Sequence, residues 1–180
     1  MNINFIKTFI NKKSQIIKFK SVGWEDLYNF INFLEKHVSH SEDFFQINKI
    51  FLEKNEVENM TQLMKLIEDR TCILICALHK DSIVGFSTIL RDPKDKNTGY
   101  FEIFIHRNHR NSGIGSEFIK SILKYSKYMK IKNIKLSVRA NNYNAIKLYK
   151  KFGFVKTHRE NNNILYKKNI YSEIFMSRVL

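Results

Sequence analysis

The sequence has little of the material that breaks or links secondary structure, with only six glycines and one proline among 180 residues. No Pro-, Gly- or Ser-rich tract divides the chain and no internal repeat is visible, so we expect a single domain over residues 1–180. No apolar run approaches the roughly 20 residues of a membrane-spanning helix. Residues 1–7 also lack the unbroken apolar core of a secretory signal. These absences predict a cytoplasmic domain with no membrane partner.

Cysteine is equally scarce, and both cysteines, Cys72 and Cys76, lie in one apolar run that is typical of a strand. At this spacing they share a face of the strand but are too far apart along an extended backbone to form a disulfide. We therefore expect buried, reduced thiols. No second group of Cys or His stands at ligand spacing, so the sequence predicts no metal site.

Charge is abundant but unevenly placed, with a formal net charge of +14. Residues 21–70 carry ten acidic and five basic side chains, a net of −5, and the remainder of the chain carries +19. Two interpretations are open. A basic region that holds a polyanion would lie beside an acidic region that accepts a cation, or the charge reflects a Lys-rich composition and a solvated surface.

The spacing of apolar residues predicts a mixed α+β sheet domain in the order β-α-α-β-β-β-α-β-α-β-β. A helix follows residue 21, with later helices over 57–69, 113–130 and 143–151 and a further helical piece around 44–52. The predicted strands are 16–19, 71–79, 82–90, 100–106, 134–138, 154–158 and 171–179. A polar region, Glu160 to Asn163, is expected to separate the last two strands.

A glycine-containing loop, Arg110 to Gly115, stands where a predicted strand ends and a helix begins. The first backbone N–H groups of such a helix have no partner within it, and together with the helix dipole they form a site for an anion such as a pyrophosphate. The loop is not a dinucleotide fingerprint, because Phe118 occupies the place of the third glycine. It is not a P-loop either, because no Gly-Lys-Ser/Thr follows.

Two motifs together resemble the signatures of the GNAT N-acetyltransferase family. Ile105-x-x-x-x-Arg110-x-x-Gly113-x-Gly115 resembles the family's acyl-CoA loop, Arg/Gln-x-x-Gly-x-Gly/Ala. Residues 136–154, LSVRANNYNAIKLYKKFGF, resemble its second signature, in which a strand precedes an Asn-x-x-Ala helix start, a tyrosine and Gly-Phe.

The resemblance covers residues 71–180 well and 16–70 only in element order, with the signature motifs in 100–154. It implies a single-domain GNAT-like fold, in which helices flank a mixed, mostly antiparallel sheet and one strand pair is bulged and splayed to admit acyl-CoA. Helices within about 21–70 would then line the acceptor side.

The resemblance also implies acetyl-CoA as co-substrate, without a metal. Backbone N–H groups of 111–116 would bind its pyrophosphate, and the backbone of 103–105 would pair with the pantetheine arm and polarise the thioester. The asparagine that starts the second helix would be both an N-cap and a cofactor contact. The cofactor-binding residues so implied are Ile103, Phe104, Ile105, Arg110, Asn111, Ser112, Gly113, Ile114, Gly115, Ser116, Asn142 and Tyr149.

Tyr149 matches the family tyrosine that protonates the departing CoA thiolate. The acceptor amine must be neutral to attack, and Glu102 is either its general base or a solvent-facing strand residue. The segment 136–142 is also similar to the ribosomal-protein N-acetyltransferase branch, but Ser137 stands where that branch has its glutamate base. His106 and His109 are expected to belong to a solvated turn.

The function implied is direct transfer of an acetyl group from acetyl-CoA to a primary amine within a ternary complex. The acceptor is a small molecule or a protein amine, and the negative balance of residues 21–70 would suit a cationic one. The alternatives are a non-catalytic acyl-CoA sensor and, less favoured, a basic nucleic-acid-binding module. Members of the family are often dimers, so a homodimer is left open.

Overall fold

The computed structural model describes residues 6–38, 56–166 and 169–180. These ranges form one eight-stranded sheet in the order β1-β2-β3-β4-β5-β6-β8-β7, in which only β5 and β6 run parallel. The strands are β1 (Ile6–Ile10), β2 (Ile16–Ser21), β3 (Cys72–His79), β4 (Ser82–Arg91), β5 (Thr98–Ile105), β6 (Asn133–Arg139), β7 (Val155–Tyr166) and β8 (Asn169–Val179). The helices are α1 (Leu27–Phe33), extended by a π-helical turn over Leu34–Val38, α2 (Glu56–Glu68), α3 (Ile114–Tyr128) and α4 (Tyr143–Lys151).

The structure confirms the predicted mixed α+β class and the mostly antiparallel sheet, but it corrects the element order at two places. The first strand, Ile6–Ile10, was not predicted from the sequence. Its residues pair antiparallel with β2, from Ile6–Lys20 to Ile10–Ile16. The polar region 160–163 belongs to β7, where an irregularity in the pairing with β8 absorbs it. The helical piece predicted around 44–52 lies outside the described residues.

Two hydrophobic clusters lie on the two faces of the sheet, because successive side chains of a strand point to opposite faces. One cluster packs α3 and α4 against the sheet and includes Phe118, Phe101 and Tyr149. The other packs α1 and α2 against the opposite face and includes Phe30 and Phe104. As a result, the side chains of neighbouring β5 residues lie on opposite faces of the sheet and face different clusters.

Both cysteines are buried free thiols, as predicted. Burial raises the pKa of the Cys72 thiol to about 12 and also raises that of Cys76. The thiolate, which is the nucleophilic form, is therefore not populated near neutral pH.

Four histidine rings form a chain at the end of β5. The predicted turn is present and exposes Arg107 and Asn108, but His106 and His109 are more buried than a solvated turn implies. The ring of His106 lies 4.7 Å from that of His37 and 6.2 Å from that of His109, which in turn lies 5.5 Å from His79. His106 and His109 are half-buried beside a short 3-10 turn, Arg107–His109. Burial, followed by neighbouring positive charges, lowers the pKa of His37, His106 and His109.

This cluster predicts a loss of stability in mild acid. A histidine whose folded-state pKa is depressed binds more protons when the protein is unfolded. Its contribution to the free energy of unfolding is therefore complete above about pH 6.5, and it falls as the pH drops through the folded-state pKa. We expect the melting temperature of the wild type to fall between about pH 7.5 and 5.5, and to fall less in His106→Gln, in which one such group is absent. Calorimetry at the two pH values measures this. His158→Gln, outside the cluster, serves as control, and an equal fall in wild type and His106→Gln would contradict the prediction.

Candidate active site

The sheet opens between β5 and β6. Their parallel pairing is limited to three residue pairs, from Thr98–Asn133 to Tyr100–Lys135. Beyond them each strand stays paired on its outer side, β5 with β4 as far as Ile105 and β6 with β8 as far as Arg139. A cleft of about 1380 Å³ occupies the opening. The splayed strand pair is thus confirmed, but the expected bulge is not, since β4 and β5 keep one register throughout.

Alternation along β5 decides which backbone groups face this cleft. His106 N donates to Val84 O and Asp92 N donates to Thr98 O, both at 2.9 Å. Because an antiparallel residue directs its N–H and C=O to the same side, the even-numbered residues of β5 bond to β4 and the odd-numbered ones turn toward β6. The backbone of residues 103 and 105 therefore faces the cleft.

Two of the three backbone positions predicted here are therefore correctly oriented. Ile103 and Ile105 line the cleft with backbone groups that the β5–β6 ladder does not pair. The backbone of Phe104 faces β4 instead, although the residue also lines the cleft, so its contact with a cofactor stays a prediction. Its buried ring packs edge-on against Phe33 at 5.7 Å.

The loop before α3 presents backbone rather than side chains. Asn111 and Gly113 adopt left-handed conformations, with φ of 57° and 99°, and Gly113, as N-cap, contributes no side-chain hydrogen bond to the helix start. Ser112 is buried and donates its hydroxyl to His109 O, and Ile114 is buried in the core. The backbone groups in this loop that can meet an anion are therefore the first N–H groups of α3.

Gly115 lies where α3 meets α4. A Cβ built on it would lie 2.9 Å from Leu148 Cδ2 of α4, the movable end of a side chain, so a larger residue would require Leu148 to shift. Both residues line the cleft. Ser116 follows on the cleft wall.

The turn between β1 and β2 also reaches this loop, which the sequence did not predict. Lys12 N donates to Ser112 O at 2.9 Å, and Lys13 Nζ donates to Asn108 O at 2.7 Å. The exposed side chain of Lys12 lines the cleft, as does Arg110, whose Nε donates to Ile105 O at 2.9 Å. Two cationic side chains thus stand near the start of α3.

Tyr149 and Glu102 both line the cleft but belong to opposite faces of the sheet. Tyr149 is 6% exposed and contacts Phe101 and Phe154 edge-on. Burial, followed by the charge of Glu102, raises the pKa of the Tyr149 phenol, so this group keeps its proton at neutral pH. Glu102 is half-buried and stands opposite Thr88 of β4. The cleft therefore has a phenol on its α4 side and a carboxylate on its other side.

Asn142 is the N-cap of α4, as predicted. Its side-chain oxygen accepts a hydrogen bond from Ala145 N at 3.2 Å, which satisfies one of the helix's first donors. Asn142 also lines the cleft, so its predicted contact with a cofactor is sterically open.

The cleft continues past Ser137 of β6 to Phe175 of β8 and His158 of β7. Sequence reasoning named neither aromatic residue, because the pairing of β7, β8 and β6 is long-range and leaves no local signal.

Among the described residues, no three His, Cys, Asp or Glu side chains are grouped so as to hold a metal ion. Within the same ranges, no helix is long and apolar enough to span a bilayer.

Comparison with known sequences gives both a family and a relative. The model of the acetyltransferase (GNAT) family matches residues 25–154. A probable spermine N(1)-acetyltransferase from Bacillus subtilis subsp. natto is 33% identical over 64 residues, which are 35% of this chain and 42% of the relative. The chain thus matches less than half of the length of that curated relative.

Solved structures share the fold. The acetyltransferase of the GNAT family from Streptococcus pneumoniae superposes with a TM-score of 0.80 at 21% identity, over 91% of this chain and 99% of that one. A putative acetyltransferase from Salmonella typhimurium, solved with its cofactor acetyl-CoA, gives 0.75 at 10% identity, over 91% and 93%. Since the family model spans both signature motifs and most of the chain, the protein belongs to the acetyltransferase (GNAT) family.

Proposed function

We propose that this chain transfers an acetyl group from acetyl-CoA directly to a primary amine, in a ternary complex and without a covalent enzyme intermediate. One observation carries the proposal. The parting of β5 from β6 brings the start of α3, the backbone of Ile103, the Tyr149 phenol and the Glu102 carboxylate onto one cleft. Together these groups provide anion binding, carbonyl polarisation, a proton donor and a proton acceptor.

The cofactor would lie along the opened edge of β5. The first N–H groups of α3 would bind the pyrophosphate, aided by the helix dipole, with Lys12 and Arg110 beside it. The backbone of Ile103 would pair with the pantetheine arm. When bound, acetyl-CoA supplies a thioester whose carbonyl a cleft-facing N–H can polarise, and one such preorganised donor is worth about 2.7–4 kcal/mol.

The acid and base would act from opposite sides of the thioester. The arriving ammonium first gives one proton to Glu102, and the neutral nitrogen then forms a bond to the acetyl carbon. As the carbon–sulfur bond breaks, sulfur takes a proton from Tyr149 and the nitrogen releases its second proton to solvent. The raised pKa of Tyr149 keeps the phenol protonated until negative charge develops on the sulfur. Cys72 and Cys76 take no part, because both are buried as thiols.

For the acceptor we propose a cationic primary amine. One similar protein is named for spermine, a polyamine, and Glu102 places a carboxylate where the amine would arrive. A protein amine is the other acceptor class. A cytoplasmic location, a homodimer and an acceptor-side role for residues 21–70 stay predictions, and residues 39–55 of that range lie outside the described structure.

The non-catalytic acyl-CoA sensor is the less supported function. A sensor needs the α3 start and the β5 edge but has no use for a buried phenol and a carboxylate that line the same cleft. A nucleic-acid-binding role rests on the net charge alone.

Replacing Tyr149 with phenylalanine tests the acid. We expect kcat to fall about 10²-fold, the lower end of what a positioned acid or base contributes, with the Kd of CoA unchanged because the ring and its packing remain. Steady-state kinetics and calorimetry measure the two quantities. Tyr143→Phe changes a 76% exposed tyrosine on the same helix and should behave as wild type. Transfer at the wild-type rate in Tyr149→Phe, with product release shown not to limit it, would remove the acid role.

Replacing Glu102 with glutamine tests the base. We expect the largest loss of kcat/KM at low pH, where the amine arrives protonated, and a partial recovery as rising pH deprotonates the free amine. The pH–rate profile is the measurement. Asp81→Asn, in the exposed β3–β4 turn, is the matched control. A profile that keeps the wild-type shape in Glu102→Gln would show that another group accepts the proton.

Replacing Lys12 with alanine tests the cofactor's orientation. An exposed ion pair is worth about 0.2–1 kcal/mol, so the Kd of CoA should rise by up to about fivefold at low salt, whereas that of pantetheine, which has no phosphates, should not change. Calorimetric titration with CoA and with pantetheine measures the two Kd values. Lys124→Ala, on the exposed side of α3, is the control. Equal weakening of both ligands would place the phosphates elsewhere.

A further inference from the structure

A single row of side chains crosses the sheet on the face that carries Glu102. Thr88 of β4 stands opposite Glu102, and Phe175 of β8 stands opposite both Ser137 of β6 and His158 of β7. The last β5–β6 pair is Tyr100–Lys135, so the same register, carried two residues further, sets Glu102 across the cleft from Ser137. The row thus runs from carboxylate to aromatic rings with the opening between them.

The two aromatic rings of this row are stacked. The rings of His158 and Phe175 are 4.2 Å apart and within 7° of parallel. A bulge after Lys156 sets His158, rather than Thr157, opposite Phe175. His158 Nδ1 lies 3.2 Å from Thr157 Oγ1, and His158 Nε2 lies 3.8 Å from Glu160 Oε1. The histidine therefore backs one face of Phe175.

The other face of the Phe175 ring points toward β6, because rings that stack between neighbouring strands face along the direction that joins the strands. The neighbour on that side is Ser137, which is exposed and too small to cover a ring. This leaves a slot above Ser137, with the Phe175 face as one wall and Glu102 beyond the cleft as the other.

Two cations, Lys135 and Arg139, flank Ser137 on β6 and also line the cleft. The guanidinium of Arg139 lies 4.6 Å from the centre of the Tyr171 ring, opposite Glu173 in register. The exposed Lys135 carries its charge near the carboxylates of Asp92 and Asp95. A positive group in the slot therefore meets the Phe175 face and the Glu102 carboxylate.

We infer that this slot is the acceptor subsite and that it takes the ammonium end of an unbranched alkylamine. Cations are attracted to the face of an aromatic ring, and the carboxylate opposite accepts the proton that must leave before attack. Phe175 is the specificity-determining residue, and Ser137 keeps the slot open. The inference rests on the proposed function and adds the class of acceptor and the residues that select it.

Three variants at two positions test it, with 1,4-diaminobutane and a peptide that begins with alanine as probes. Ser137→Leu fills the slot and should lower kcat/KM for the diamine at least tenfold. Ser137→Ala keeps the slot open and should lose much less kcat/KM for the diamine than Ser137→Leu. Phe175→Leu keeps apolar volume but removes the ring face, and should raise the KM for the diamine about two- to fivefold. Calorimetric titration of the diamine into the CoA-bound enzyme gives a readout besides activity, and Ser82→Leu, at an exposed serine of β4, is the control.

The outcomes separate the inference from the proposed function. The inference is overturned if Ser137→Leu retains wild-type kcat/KM, if Ser137→Ala loses as much as Ser137→Leu, or if the wild type acetylates the peptide but not the diamine. Binding of CoA without transfer to any amine would instead overturn the proposed function. Wild-type transfer to the diamine, lost in Ser137→Leu while the Kd of CoA stays constant, supports both.

Discussion

The divergence of β5 from β6 is the constraint on which the rest of this structure depends. Backbone N–H and C=O groups are costly to leave unpaired away from water, yet the cleft-facing groups of Ile103 lie beyond the last β5–β6 pair. The sheet tolerates the opening because each strand stays paired on its outer side. Gly85 of β4 helps, since a Cβ there would lie 2.6 Å from Phe104 O. The opened edge thus remains as a template for a ligand that can pair with backbone.

The same opening brings together groups that the two faces of the sheet otherwise keep apart. Tyr149 belongs to the cluster under α3 and α4, and Glu102 lies on the opposite face with Phe104. In a closed sheet, a layer of backbone would separate them. Here burial, followed by the charge of Glu102, raises the pKa of Tyr149, and both residues line one cleft. Acid and base on opposite sides of one thioester are what a direct transfer needs.

The proposed anion site draws on three segments distant in sequence. The start of α3 would supply N–H donors, Gly115 of α3 lies beside Leu148 of α4, and the β1–β2 turn brings Lys12 to Ser112. An ion pair between Lys7 and Glu117 also joins β1 to α3. In the proposed site the basic balance of the chain would have one local use, although most of the +14 charge lies elsewhere.

The sequence by itself determined what local spacing can express. Apolar periodicity located α3, α4 and β3 to within a few residues, and the glycines before α3 and the asparagine before α4 marked the helix starts, because a helix start depends on consecutive residues. Only the tertiary structure decided the rest. The pairing of β1, the direction of the Phe104 backbone and the position of Lys12 depend on strand partners far along the chain. The bulge that sets His158 against Phe175 also depends on such distant partners, because the register of a strand is fixed by non-local contacts that no local pattern encodes.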